Sequence, residues 1–301
     1  MVLERAVRRI RVAFEQLNPR VAYVLFSAGK DSSAALLATL EALGWDASRV
    51  VIVYNEIAGN TARVNVDAFR ATMRRVGIRE IRVVLSRNEL QRVTRDAVLR
   101  GEGGFAVHIV ATGPRGEDYA ALVERWGPPP VLPAGKRWCT RALKAKYWDA
   151  LAAKESWPRP IRVTIDGVKR ADSRRRGALL DRVTDDHPYT AHITGRIMHY
   201  AIHPLYDYSD AEVRAILRDY GLEEISALYD AYNDSLNCIF CPFKRVEKLA
   251  RILGALRGTR DEEKASRICA ALTRMDREKL RRLSRQVYEN WMRACKEARY
   301  V

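Results

Sequence analysis

Long apolar runs are missing from this chain of 301 residues. The longest, such as Val21 to Phe26, have the length of a strand. A membrane-spanning helix needs about 20 apolar residues, so the sequence predicts no membrane partner. Cysteine is sparse at five, and the chain opens on no charged-then-apolar leader. Both features predict a reducing compartment, the cytoplasm, in which the thiols serve thiol or metal chemistry. A chain of this size buries enough core to need no disulfide staples. Glutamine falls to 3, arginine outnumbers lysine 42 to 11, and 53 basic residues face only 37 acidic ones, a formal charge of +16. This shortage of acid predicts a polyanionic partner, namely RNA, DNA or a nucleotide. The arginine excess also suits a thermophilic source or a skewed genomic base composition.

Two familiar phosphate-binding patterns are absent as well. A Walker loop needs glycine where Val24 stands and Ser or Thr where Asp31 stands, and a dinucleotide fingerprint needs three spaced glycines. What is present is the apolar run Tyr23-Val24-Leu25-Phe26, then Ser27-Ala28-Gly29-Lys30-Asp31-Ser32-Ser33, then the helix-forming Ala34-Ala35-Leu36-Leu37. A turn that ends a strand and opens a helix offers unpartnered N–H groups, the positive end of the helix dipole and small residues that let a polyanion approach. Lys30, read as an exposed loop lysine, adds a full charge. An ordinary strand-to-helix turn with a solvated lysine is the plainer reading of these residues taken alone.

Periodicity divides the chain into three parts. Residues 1–18 form a leading amphipathic helix with Leu3, Val7, Ile10, Phe14 and Leu17 on one face; 19–243 form an α/β domain; 244–301 form a basic helical extension. Strands over 49–54, 80–85 and 160–165 and a helix over 60–76 join the first strand and its helix. The alternation predicts a doubly wound, mostly parallel sheet with ligands at the strand carboxyl ends, where Ser27 and the pair Asn55-Glu56 meet. Residues 101–135 carry seven glycines, the run Pro128-Pro129-Pro130 and one short helical stretch near 118–126. They read as a substrate-gating loop, with a plain surface insertion as the alternative.

Cysteine chemistry follows. Cys139 stands at a helix start among Lys136, Arg137, Arg141 and Lys144, an environment that lowers a thiol's pKa. After the fourth strand, Gly167, Lys169, Arg170, Ser173, Arg174 and Arg176 form a cluster placed for a phosphate. Ser209 caps a helix over 211–220 with Glu212 completing a capping box, and Gly221 ends it. In Cys238-Ile239-Phe240-Cys241 the spacing puts two sulfurs on one metal or in one redox pair. With Cys139 they are three candidate ligands, a set that suits a 4Fe–4S cluster with one open iron; Zn2+ is the alternative. Cys269 and Cys295 read as packing residues.

Four ordered segments, Ser27 to Ser33, Arg137 to Lys144, Gly167 to Arg176, and Pro204-Leu205-Tyr206-Asp207-Tyr208-Ser209-Asp210 through Cys241-Pro242-Phe243, resemble the motifs of the phosphoadenosine-phosphosulfate (PAPS) reductase-like family of the PP-loop ATP pyrophosphatase superfamily. Asn55-Glu56-Ile57-Ala58-Gly59-Asn60-Thr61 looks like that family's segment beside the nucleotide. The resemblance implies that Ser27, Ala28, Gly29, Lys30, Asp31, Ser32 and Ser33 take the pyrophosphate of ATP, that Asp31 places Mg2+, and that Lys169, Arg170, Arg174 or Arg176 take a phosphate. Three departures shape the expected activity. Cys139-Thr140 stands where cluster-bearing reductases carry Cys-Cys, no Glu-Cys-Gly motif lies near the carboxyl terminus, and Lys30-Asp31-Ser32 is intact as in members that cleave ATP. The expectation is therefore an enzyme that turns ATP into AMP and pyrophosphate to adenylate a substrate, then transfers sulfur onto a nucleic acid such as tRNA. Lys30, Asp31 and Cys139 are its catalytic residues, and a sulfur-donor protein or small sulfide source is its partner. A sulfonucleotide reductase acting on adenylylsulfate or its 3′-phosphate, and a non-enzymatic zinc-containing nucleic-acid-binding protein, are the alternatives.

Overall fold

The computed structural model describes residues 2–132, 136–151, 161–194 and 197–301; Gly135 of the expected gating loop and Pro160 at the expected start of the fourth strand lie outside them. The strands are β1 (Ala22–Phe26), β2 (Val50–Ile57), β3 (Ile81–Val84), β4 (Phe105–Ala111), β5 (Ile161–Ile165), β6 (Tyr189–Thr194) and β7 (Ile197–Ile202), in the spatial order β3-β4-β2-β1-β5-β7-β6. Every neighbouring pair is parallel except β6–β7. Such a sheet must be covered on both faces, which is why β2 reads Val-Val-Ile-Val-Tyr-Asn-Glu-Ile with only Glu56 part-exposed. Val50, Ile52 and Tyr54 join one apolar layer, Val51 and Val53 the other. Burying one such side chain contributes about 1.5–3 kcal/mol.

The first layer holds α1 (Glu4–Leu17), α2 (Lys30–Ala42), α3 (Arg63–Arg75) and α9 (Asp210–Asp219); the second holds α4 (Arg87–Arg100), α5 (Tyr119–Trp126), α7 (Lys146–Leu151), α11 (Val246–Leu256), α12 (Glu262–Thr273) and α13 (Arg282–Glu297), while α6 (Trp138–Thr140), α8 (Arg174–Leu180) and α10 (Glu223–Tyr232) are connecting helices. From β1 the chain runs to β2, β3 and β4 on one side, then returns to β5 on the other. The loops after β1 and β5 therefore face each other at a topological switch point, the crevice where open α/β sheets hold their ligands.

Three features depart from expectation. The segment 101–135 is not one loop, because its Phe105–Ala111 stretch is the buried strand β4, paired in register with β2 from Val51↔Phe105 to Ile57↔Ala111. The surrounding glycines and prolines mask this short apolar run, and the helix expected near 118–126 is present as α5. The hairpin β6–β7 has no counterpart among the expected strands, since His192, Thr194 and His199 interrupt its apolar pattern. Finally, Cys269 and Cys295, expected to pack as free thiols, form a disulfide between α12 and α13. Both are fully buried where these helices pack, a proximity that a sequence separation of 26 conceals.

Two tethers bind the outer parts to the sheet. Arg9, 1% exposed, gives Asp207 a bidentate pair at 2.7 and 2.9 Å, donates from Nε to Asp185 at 2.7 Å and lies over the Tyr206 ring, so α1 clamps the segment that leads into α9. At α3, Ala62 cannot cap with its side chain; buried Asp261 accepts from the Arg63 N–H at 2.6 Å instead, reaching in from the start of α12.

Candidate functional site

Ser27, Ala28 and Gly29 form the turn between β1 and α2. Ser32 Oγ closes it, accepting from the N–H groups of Ser27 and Gly29 at 3.2 Å each, donating to the Gly29 carbonyl at 3.0 Å and lying 3.1 Å from Ser27 Oγ. Ala28 adopts φ +54, a left-handed conformation that costs an L-residue about 1–2 kcal/mol and that glycine adopts freely. Ser33 is buried with its hydroxyl unpartnered.

Lys30 is not the exposed loop lysine expected. It is the first residue of α2, only 6% exposed, because two carboxylates hold its ammonium against the protein. Lys30 Nζ contacts Asp31 at 2.9 Å and Asp210 at 2.8 Å; Lys169 Nζ contacts Asp31 at 2.8 Å and also pairs with Asp210. Two cations and two anions thus alternate around the switch point. Hydrogen bonds from Lys169 and Lys30 pull the Asp210 carboxyl down to about 2. Burial works to lower the Lys169 ammonium, but hydrogen bonds to Asp210 and Asp31 outweigh it and hold the pKa above the ordinary lysine range. A polyanion entering here meets two fixed cations, one of whose two counter-charges, Asp210, sits on an exposed helix start.

Gly167 explains how Lys169 gets this close. A Cβ on Gly167 would lie 2.5 Å from the backbone C and O of Asp31 and 2.8 Å from the N of Ser32, so the β5 loop rests directly on the first turn of α2. Before it, Asp166 Oδ1 accepts from the Val168 N–H at 3.0 Å and lies 2.8 Å from His203 Nδ1, and His203 Nε2 lies 3.0 Å from Thr190 Oγ1. This acid–imidazole–hydroxyl chain ties the loop to edge strand β6.

The other basic residues stand elsewhere. Arg170 turns away, donating to the carbonyls of Leu180 and Val183 at 2.7 and 3.0 Å and stacking on Tyr206. Ser173 caps the helix Arg174–Leu180, and Arg174 and Arg176 are exposed on its first turn, Arg176 pairing with Asp172. Asn55 is buried and donates to the Leu143 carbonyl at 3.2 Å, leaving Oδ1 unpartnered. Glu56 lies 2.7 Å from His108 Nε2; burial raises its pKa, but the His108 hydrogen bond and charge prevail and lower it.

Cys139, Cys238 and Cys241 are free, part-buried thiols. Cys139 lies on a three-residue helix, Trp138–Thr140, that runs into a π turn, Arg141–Ala145. The three share one environment: buried Tyr119 has its hydroxyl pKa pushed well up by burial and then by all three thiols, and Lys144 is raised chiefly by Cys238, to which it hydrogen-bonds. The expectation of a lowered Cys139 pKa is reversed. Burial and then the neighbouring Cys238 raise it, outweighing Arg137 and Lys144, and burial likewise raises Cys241.

Neither a family model nor a curated protein sequence matches this chain. Among the described residues no three His, Cys, Asp or Glu side chains are gathered to hold a metal ion. A zinc or iron–sulfur centre needs three or four ligands converging on one point. The thiol set does not fit that demand as it stands, and no step below passes through such a centre. Mg2+ asks less, because it keeps waters and substrate phosphates as ligands and takes one or two protein carboxylates, which Asp31 and Asp210 supply. No helix among the described residues is long and apolar enough to cross a membrane. Asp210 and His203 are the site residues that sequence reasoning missed. Asp210 ends the segment Pro204 to Asp210, hidden behind its N-cap neighbour Ser209, whereas nothing in the sequence marks His203.

Proposed function

We propose that the chain is an ATP-dependent adenylating enzyme of the PP-loop, PAPS reductase-like kind, acting in the cytoplasm on a nucleic acid such as tRNA and delivering sulfur to the adenylated position. The observation that carries the reading is the pair of buried lysines, Lys30 and Lys169, converging from two loops on the amino end of α2 at the sheet's switch point. In the step, an acceptor oxygen attacks the α-phosphorus of ATP. The new P–O bond forms as the bond to the bridging oxygen breaks, pyrophosphate leaves with that electron pair, and the acceptor's proton passes to solvent. Charge builds on the departing pyrophosphate. Lys30, Lys169 and the N–H groups of the Ser27–Ser33 loop lie where such charge is stabilised, the largest single contribution in reactions of this class. Mg2+ on Asp31 and Asp210 neutralises the phosphates when bound.

Sulfur transfer from a persulfide donor needs two thiols. The outer sulfur of a persulfide on one cysteine forms the C–S bond as AMP leaves. A second thiol then attacks the inner sulfur, leaving a disulfide that a thiol reductant resets. Cys139, Cys238 and Cys241 supply the thiols; burial raises the pKa of Cys139 and Cys241, and the Lys144 ammonium, hydrogen-bonded to Cys238, offers the positive charge that favours a thiolate there while the proton passes to solvent. ATP–pyrophosphate exchange, screened against total tRNA, small sulfonucleotides and no substrate, tests the proposal. Exchange stimulated by tRNA supports it. Sulfite release from a sulfonucleotide with no pyrophosphate chemistry overturns it in favour of a reductase, and nucleic-acid binding with one zinc and neither activity overturns it in favour of a binding protein.

A further inference from the structure

The carboxamide of Asn65, fully buried on the first turn of α3, is wedged between the phosphate loop and the segment that carries Cys238 and Cys241. Its Nδ2 donates to the Ser27 carbonyl at 3.1 Å and to the Ser235 carbonyl at 2.6 Å, while Oδ1 accepts from Tyr54 Oη at 2.7 Å and lies 3.4 Å from Asn237 Nδ2. Both donors and both acceptor positions are used.

Each of the two carbonyls belongs to the residue just before a non-glycine residue in the left-handed conformation, Ala28 at φ +54 and Leu236 at φ +57. Side chains in that region persist only where their surroundings over-determine them. One nitrogen therefore pins two strained turns, one that receives phosphates and one that leads to Cys238 two residues on. The second turn is held to the first layer by further bonds: the Ala62 N–H donates to the Leu236 carbonyl at 3.0 Å, Thr61 Oγ1 to the Asn237 carbonyl at 2.7 Å, and Asn237 Nδ2 to the Asn55 carbonyl at 3.2 Å.

We infer that Asn65 is a positioning residue that couples occupancy of the phosphate loop to the reactivity of Cys238 and Cys241. The inference rests on the nucleotide reading of the Ser27–Ser33 loop. Phosphate drawn onto the loop's N–H groups shifts the Ser27 peptide, whose carbonyl is held by Asn65. Because the same planar amide holds Ser235, the displacement is shared with the cysteine turn rather than absorbed in a flexible loop. Sulfur handling is thereby tied to a loaded nucleotide site, and the thiols do not react at the full rate without it.

The test measures site-resolved alkylation of Cys238 and Cys241 by iodoacetamide in the full chain, with and without ATP, with ATP affinity measured alongside. In the wild type ATP changes the alkylation rate by about threefold or more. Asn65→Asp keeps the shape and the acceptors but removes both donors. It is expected to retain ATP affinity within about threefold while reducing the ATP effect on the thiols to less than about 1.5-fold. If Asn65→Asp does not fold, Asn65→Ala removes the amide that joins the two carbonyls without burying a charge and is expected to give the same loss. An ATP effect that survives in the folded variants, or a wild type that binds ATP with no change at the thiols, overturns the inference and leaves the nucleotide reading standing. A wild type that binds no ATP overturns both.

Discussion

Lys169 Nζ lies 2.8 Å from the carboxylate of Asp31, joining the loop after β5 to the first turn of the helix after β1. Neither residue could be placed beside the other without strand order, because β5 reaches β1 only after the chain has built the far side of the sheet. The pair, with Lys30 and Asp210, makes the switch point an electrostatically closed unit that a polyanion must open.

Lys30→Ala is expected to cut ATP-dependent turnover about a hundredfold, the effect of losing one fixed donor to a developing oxyanion. Since Lys30 is buried and paired with two carboxylates, stability also falls, by about 1–3 kcal/mol. Steady-state pyrophosphate release and urea unfolding measure the two effects; full turnover in the folded variant removes Lys30 from the reaction.

Asp210 predicts an acid-sensitive site. Its folded pKa, about 2, lies below the unfolded aspartate value near roughly 3.9, so its contribution is complete above pH ~4 and is lost as pH falls toward ~2. The carboxylate is largely exposed, and the effect on stability is correspondingly small. Asp210→Asn flattens that part of the pH–stability profile and, by leaving Asp31 as the one carboxylate shared by Lys30 and Lys169, tightens Mg2+-free inorganic pyrophosphate binding by about tenfold. Calorimetry that finds weaker pyrophosphate binding in Asp210→Asn would show that Asp210 helps hold the anion's surroundings rather than competing with it.

Gly167→Ala places a methyl 2.5 Å from the Asp31 backbone, so the two loops must separate. Overpacking of this sort costs about 1–3 kcal/mol, and the loss of Lys169 from the cluster removes anion binding along with it. A crystal structure or pyrophosphate titration of the variant checks this; an unchanged affinity means that Lys169 does not serve the anion.

Arg9→Ala removes the buried partner of Asp207 and Asp185, which stay about a third exposed and keep Arg5 and Arg8, and is expected to cost about 1–3 kcal/mol. Chemical denaturation of Arg9→Ala, Asp207→Ala and the double variant isolates the coupling. A sum of single effects equal to the double effect would mean that the Arg9–Asp207 pair contributes no coupling of its own to holding the leading helix.

The sheet's first half was legible because β1, β2 and their helices announce themselves by apolar runs bounded by polar loop residues. β4 was hidden by the glycines around it and by His108, whose imidazole is buried against Tyr54 and Phe69 and bonded to Glu56. In the site, the turn after β1 that opens α2 and the position of Lys169 after β5 were readable from residue type and position at strand ends. Arg170 misled, since a guanidinium beside a phosphate-suited glycine can as easily satisfy the carbonyls of Leu180 and Val183. Cys139 misled for a different reason: counting cations along the chain ignores burial and the approach of Cys238, which depend on the tertiary fold.

The cap that Asp261 supplies to α3 has a consequence for the order in which the molecule can be completed. The seven strands among the described residues have all been translated before residue 261, yet the amino end of α3, the helix that bears Asn65, still lacks its cap at that moment. The first turn of α3 therefore gains this bond only once the start of α12 has been made. Nascent chains arrested before Asp261 should be cleaved by protease near the start of α3, and those arrested after α12 has emerged should resist.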